Sequence, residues 1–310
     1  MAGQPGAVQR VDDRYELRET IGRGGFGVVW RAHDTLLQRD VAVKEIRFPG
    51  VLDEDERAQV RSRVLREARA AARLNHPGAV TVYDVVEVDG QPFIVMELVE
   101  APTLSELVER NGPLPPKRMA TIALELLDTL VAAHSLGIVH RDVKPANVMV
   151  AESGRVRLAD FGIAAILDDP KVTTSGDITG SPCYMAPEQV NNQPTGPATD
   201  LWSLGATMYF AVEGEPPFSK GAVIPTLTSI ASDAPRPAQQ AGPLAPVLDA
   251  LLVKDPAGRI NPDALRRQLT EITTASAPPV PPPRPDDTVM LEAAATGART
   301  APETTALAPR

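Results

Sequence analysis

Ionisable and amide side chains crowd residues 138–150, IVHRDVKPANVMV, between two apolar runs. Asp142, Lys144 and Asn147 put a base, a cation and a metal-type amide on one loop, and two short flanking strands can aim all three into a single cleft. Burying such groups without partners is costly. The plainer alternative is a polar turn punctuated by Pro145, which leaves the combination of these three types at this spacing unexplained. Thirteen residues after Asn147, the stretch LADFGIA offers Asp160 followed by Phe161 and Gly162, a carboxylate ending an apolar run and suited to a divalent cation.

Other chemistry lies upstream and downstream of that loop. IGRGGFGVV sets Gly22, Gly24 and Gly27 in a G-x-G-x-x-G-x-V pattern, where absent side chains let backbone N–H groups approach phosphate oxygens. The same spacing serves dinucleotide turns, but those open a helix, whereas Val28, Val29 and Trp30 continue a β-rich run; a plain glycine hairpin is the alternative. Lys44 stands inside the apolar run DVAVKEI, with Val41 and Val43 expected on its face, and reads either as a snorkelling edge-strand lysine or as a paired cation. A helical stretch opens with the acidic run DEDE from Asp53, suited to a helix N-terminus, and on it Val60, Val64, Ala71 and Leu74 mark a face on which Glu67 is central. A carboxylate there needs a partner, so Lys44 and Glu67 are expected to meet. Further on, MAPEQ supplies Glu188, and TDLWSLG places Asp200 at the start of an apolar helix as a cap or a brace for another loop.

These groups need two kinds of support. Residues 14 to 98 alternate turns with short β-like runs around one helix, the pattern of a small sheet. From about Thr103 to Thr274 the period is helical, with Met119, Ile122, Ala123, Leu126, Leu130 and Ala133 on one face. From Ala275 onward the chain turns rich in Pro, Ala and Thr, the composition of a disordered tail. The 310 residues, 43% of them hydrophobic, suffice for a sizeable core. A net charge of -9 argues against nucleic acid or an anionic membrane as the main partner. One cysteine, Cys183, excludes an intrachain disulfide and fits a reducing compartment, and the four histidines lack metal-ligand spacing. No apolar run reaches the length of a membrane span or a signal h-region, so a soluble, cytoplasmic protein is expected, with membrane association only if the natural chain continues beyond residue 310.

In order and spacing the motifs resemble the protein kinases over residues 14 to 273, and DVKPAN is similar to the Ser/Thr class, bacterial Hanks-type kinases in particular. The resemblance implies an α+β, two-lobed fold: an extension over residues 1–13, a kinase domain over 14–273 divided near 98/99, and a tail or juxtamembrane-type linker over 274–310. It implies transfer of the ATP γ-phosphate to Ser/Thr hydroxyls of proteins, with Mg²⁺ as the ion and Mn²⁺ as its substitute. Asp142 would take the hydroxyl proton, Lys144 would steady the γ-phosphate, and Asn147 with Asp160 would hold the metal. Lys44, tied to Glu67, would grip the α- and β-phosphates beneath the loop Gly22, Arg23, Gly24, Gly25, Phe26 and Gly27. Adenine would lie among Ile21, Val29, Ala42 and Met149, bonded to the backbone of Glu97 and Val99, with Met96 at the back. His140, Arg141, Phe161, Glu188, Asp200 and Arg259 would be structural, Glu188 pairing with Arg259 and Asp200 supporting the backbone at His140.

Arg141 before Asp142 is the arrangement of kinases switched on by phosphorylation between Asp160 and Glu188. The resemblance makes Thr173 and Ser175, then Thr174 and Thr179, the expected phosphosites, and gives Ser181 the place of the threonine near the substrate hydroxyl. Ala165 stands where many relatives carry a basic residue in that pocket, a departure that weakens the gain from phosphate. Partners implied are Ser/Thr-bearing proteins, a phosphothreonine-binding protein at Thr288, Thr300, Thr304 or Thr305, and a second copy through the sheet lobe. A nucleotide-binding pseudokinase and a docking protein built around the tail are the alternatives.

Overall fold

In this computed structural model the described residues are 9–24, 27–48, 53–161 and 182–275. Short alternating runs in the first third form strands β1 (Arg10–Val11), β2 (Tyr15–Gly24), β3 (Gly27–Asp34), β4 (Arg39–Ile46), β5 (Val82–Val88) and β6 (Gln91–Met96). They make one antiparallel sheet in the order β1-β2-β3-β4-β6-β5. Asp89 and Gly90, at φ 51° and 76°, join β5 to β6 in the two-residue turn whose positive φ values match the strand twist.

Strand β4 is buried on both faces. Val41 and Val43 pack with Tyr15, Leu17, Ala32 and Val95, while Ala42 and Ile46 pack with Ile94, Met96 and the helix α1 (Glu54–Ala71). Side chains alternate along a strand, so Lys44 shares its face with Ala42 and Ile46. The expectation that Val41 and Val43 were its face-mates is corrected. Helix α1 starts where the acidic run predicts, with Asp53 and Glu56 forming a capping box.

Asp34, buried at the end of β3, ties the N-terminal strand to the sheet. It accepts from Arg14 at 2.8 and 2.7 Å, and Leu36 and Leu37 donate their N–H groups to it. The hydrogen bonds from Arg14 outweigh burial, which acts the other way, and hold the Asp34 carboxyl down at about 2. A carboxylate with a native value below its unfolded one adds stability above the ordinary carboxylate range and loses it as pH falls. Asp34→Asn should therefore melt below the wild type at pH 7, and thermal scans should show that gap closing between about pH 4 and about pH 2.

The remainder is helical. Helix α2 (Leu104–Asn111) is capped by Thr103 and Glu106, and α3 (Pro116–Ser135) buries Met119, Ile122, Ala123, Leu126, Leu130 and Ala133, the face the period predicts. The hairpin β7 (Val148–Val150) and β8 (Val156–Leu158) follows, then the single turn α4 (Pro187–Val190). Next come α5 (Pro197–Glu213), α6 (Val223–Ser232), α7 (Ala245–Leu251) and α8 (Pro262–Thr274). Helix α5 is buried nearly all round, and at Gly205 an added Cβ would lie 2.7 Å from Leu251 Cβ, so the α5–α7 crossing requires glycine. The result is α+β, a sheet region with one helix followed by a helical region. Cys183 is a buried free thiol, and among the described residues no helix is long and apolar enough to cross a membrane.

Candidate active site

Hairpin β7–β8 brings the two metal-type side chains together. Val148 pairs with Leu158, and Ala159 N–H donates to Asn147 C=O at 2.9 Å, which sets Asp160 beside Asn147 although thirteen residues separate them. The Asn147 amide gives both its protons to Asp142, at 2.8 Å to the main-chain carbonyl and 3.0 Å to Oδ2. Its own oxygen is then the atom left to ligate a cation. Lys144 Nζ donates to the same Asp142 Oδ2 at 2.7 Å.

The loop that carries Asp142 is held from below. Asp200, fully buried in the first turn of α5, accepts from the N–H groups of His140 at 2.9 Å and Arg141 at 2.7 Å and meets His134 Nε2 at 2.7 Å. Asp200 is thus a brace, as expected. His134 was not anticipated as its partner, and its place in the last turn of α3 gave no sign of what it would face. His140 is also buried: its Nε2 lies 2.8 Å from Ala159 C=O and Asp142 N–H donates to its Nδ1, so the proton sits on Nε2, and its ring packs on Phe161 at 4.6 Å. Arg141 and Asp160 take positive φ values of 65° and 64°, a costly conformation for non-glycine residues that surrounding bonds must enforce.

Lys44 and Glu67 do not meet. Lys44 Nζ binds Asp160 Oδ2 at 2.8 Å, and Glu67 lies 3.8 Å from Arg141 Nη1. The buried stripe of α1 consists of Val60, Val64, Ala68 and Ala71, and Ala68 widens it to the side away from Glu67. Glu67 therefore lies at the edge of that stripe, 27% exposed, and faces the loop of residues 138–150 instead of β4. Burial drives the Asp160 carboxyl up, but the Lys44 charge and hydrogen bond, with Lys144 and His140 behind them, bring it below the usual carboxylate range.

Above this cluster opens a cavity of about 190 Å³ lined by Ile21, Gly22, Val29, Ala42, Met96, Glu97, Val99, Met149, Asn147 and Asp160. Every expected adenine-pocket residue borders it. Val80, Leu98, Ala146 and Ala159 border it too, and in the sequence they were indistinguishable from core. Glu97 N–H is taken by Thr81 C=O at 2.9 Å, so Glu97 offers a ligand its carbonyl. Among the described residues no group of three or more His, Cys, Asp or Glu is arranged to hold a metal. An amide oxygen and a carboxylate at the cavity wall are hard oxygen donors, too few for a protein cage and suited to magnesium that takes its other ligands from phosphates and water.

Glu188 and Arg259 form the expected pair. Both are 1% exposed, with Nη1 to Oε1 at 2.6 Å and Nη2 to Oε2 at 2.7 Å. Gly22, Gly24 and Gly27 end and begin the paired strands β2 and β3, and Arg23 pairs with Val28 between them. Gly25, Phe26, Gly162, Ala165, Thr173, Thr174, Ser175, Thr179, Ser181 and the tail threonines lie outside the described residues.

Comparison with known proteins bears on this constellation. The family model for the protein kinase domain matches residues 15–269. Serine/threonine-protein kinase PknB of Mycolicibacterium smegmatis is 38% identical over 285 residues, covering 88% of this chain and 45% of that protein. Serine/threonine-protein kinase PkaA of Streptomyces coelicolor is 37% identical over 278 residues, 84% of this chain and 50% of the relative. Serine/threonine-protein kinase PknL of Mycobacterium bovis is 37% identical over 256 residues, 80% and 63% respectively. The chain spans about half the length of the first two of these relatives.

Proposed function

This chain belongs to the protein kinase family, and from that premise we propose that it is a serine/threonine kinase that transfers the γ-phosphate of ATP to protein hydroxyls. The observation that carries the reading is the convergence of Lys44, of Asp142 and Asn147 on one loop, and of Asp160, from three separate stretches, where Asn147 and Asp160 border a single cavity and bond Asp142 and Lys44 behind them. A loose phosphoryl-transfer transition state asks the protein mainly to position groups and neutralise charge. Asp142 suits the base: Lys144 and Asn147 both bond its Oδ2, which leaves Oδ1 to receive a substrate hydroxyl proton. Asn147 and Asp160 would hold magnesium, which when bound supplies charge neutralisation at the β- and γ-phosphates. Lys44 would exchange Asp160 for the α- and β-phosphates, and Ile21, Val29, Ala42 and Met149 would sandwich adenine under Gly22 to Gly27.

On the same reading Thr173 or Ser175 receives the activating phosphate, a phosphothreonine-binding protein docks at the tail, and a second copy pairs through the sheet region. Incubation with γ-labelled ATP and Mg²⁺, followed by mass spectrometry, tests this. Label should appear on the protein itself and on a basic acceptor, with Thr173 or Ser175 among the modified residues. Thr173→Ala combined with Ser175→Ala should lower the specific activity of autophosphorylated enzyme several-fold. A protein that binds nucleotide but labels neither itself nor an acceptor would be a pseudokinase, and the reading would be wrong.

A further inference from the structure

Glu188 of the MAPEQ stretch is accounted for by Arg259, but its neighbour Gln189 makes two hydrogen bonds that no role so far requires. Gln189 is the third residue of α4, whose N-cap, Ala186, has no side-chain acceptor of its own. Gln189 Oε1 accepts the Ala186 N–H at 2.9 Å. That half of the contact is ordinary capping, and a glutamate oxygen would serve as well. The other half is different: Gln189 Nε2 donates to the main-chain carbonyl of Arg141 at 2.9 Å, across 48 positions of sequence. A carboxamide accepts at one end and donates at the other, which neither a carboxylate nor an aliphatic side chain of this length does.

The Arg141 carbonyl belongs to the same planar peptide unit as the Asp142 N–H. That N–H is engaged from the opposite edge by His140 Nδ1 at 3.2 Å. The plane is therefore gripped on both sides, and its orientation sets where the Asp142 side chain emerges. Arg141 itself sits at φ 65°, so its backbone has a standing tendency to relax. Asp200 restrains the N–H before the plane, at 2.7 Å, and Gln189 restrains the carbonyl within it. Of these contacts Gln189 stands nearest in sequence to residues 162–181, which carry the expected acceptor hydroxyls, and Asp200 lies eleven positions further on.

We propose that Gln189 is a positioning residue: its carboxamide locks the Arg141–Asp142 peptide to the anchor of the activation segment, so that base and substrate wall share one frame. The inference rests on the kinase reading. A base shifted by a fraction of an ångström loses rate without losing nucleotide, since the loop of residues 138–150 gives the cavity only Ala146, Asn147 and Met149, none of them bonded by Gln189.

The test is steady-state kinetics on Gln189→Glu and Gln189→Met, with nucleotide affinity followed by fluorescence and folding by thermal melts. Gln189→Glu keeps the acceptor for Ala186 N–H and replaces the donor with an oxygen facing the Arg141 carbonyl. Its kcat should fall about ten- to hundredfold, with the ATP KM and Kd within twofold of wild type and the melting temperature little changed. Gln189→Met, which lacks both bonds, should fall at least as far. In the Asp142→Asn background Gln189→Glu should add almost nothing, because the group it positions is gone. Wild-type kcat in Gln189→Glu overturns the proposal, as does a loss of rate matched by equal losses in melting temperature and nucleotide affinity, or one fully additive with Asp142→Asn. Wild-type protein that labels nothing defeats the kinase reading instead, and the two failures are told apart by that first measurement.

Discussion

Asp142→Asn should lower phosphoryl transfer by about 10²- to 10⁴-fold, the range associated with a lost general base. The substitution is nearly isosteric, and the amide oxygen of an asparagine can still accept from Lys144 and Asn147, which now meet Oδ2 at 2.7 and 3.0 Å. The position is also partly exposed, 22% at the side chain, so little stability is at stake. Rate and fold should therefore separate. Labelled-ATP assays on the protein itself and on a basic acceptor should show the loss, while nucleotide binding and melting temperature stay near wild type. A variant retaining more than about a tenth of the activity would remove Asp142 from the role of base.

Arg259→Met should be the most destabilising single change at a charged residue among those discussed, by about 3–5 kcal/mol, because it strands Glu188 as a buried charge. Glu188 would keep the hydroxyl of Thr199, at 2.9 Å, and its own backbone N–H, and the carbonyls of Val253, Lys254 and Ala198 would lose a donor as well. For a domain of this size that corresponds to a drop of roughly 10 °C or more in melting temperature. The pH dependence follows from what Arg259 does now. Burial pushes the Glu188 carboxyl up, and the hydrogen bonds and charge of Arg259 more than reverse it, so the native group titrates below its ordinary value. Without Arg259 burial acts nearly unopposed and the native value rises above the unfolded one. The protonated form is then the stable one, and the deficit against wild type should shrink as pH is lowered from 8 towards 5. Scanning calorimetry across that range checks the sign; a deficit that grows towards low pH would refute it. Glu188→Leu with Arg259→Met should cost less than the two single changes added together.

Much of the fold could be read before any coordinates. The inward face of α3, the start of α1 and the short strands of the sheet all follow from periods of 3.6 and 2 and from acidic residues suited to a helix N-terminus, which are local properties. The loop residues Asp142, Lys144 and Asn147 were legible for a related reason, since polar types too costly to bury idle stood between two strands. The hairpin β7–β8 then had to bring Asp160 close. Glu188 with Arg259 and Asp200 with the backbone at His140 were legible only through resemblance, because 71 and 60 residues separate the partners.

The sequence by itself determined which groups could act and on which elements they stand: local period, turn chemistry and motif spacing suffice for that. Which group meets which was decided by tertiary structure. Lys44 took Asp160 and Glu67 took Arg141, because Ala68 widened the buried stripe of α1 and left Glu67 at its edge. His134 found Asp200 and Gln189 found the Arg141 carbonyl through the way α3, α4 and α5 pack around the loop of residues 138–150. The physical reason is one of scale. A hydrogen bond or ion pair is made or lost over about 1 Å, while local periodicity specifies a face of a helix or strand and leaves its placement to packing across the whole core.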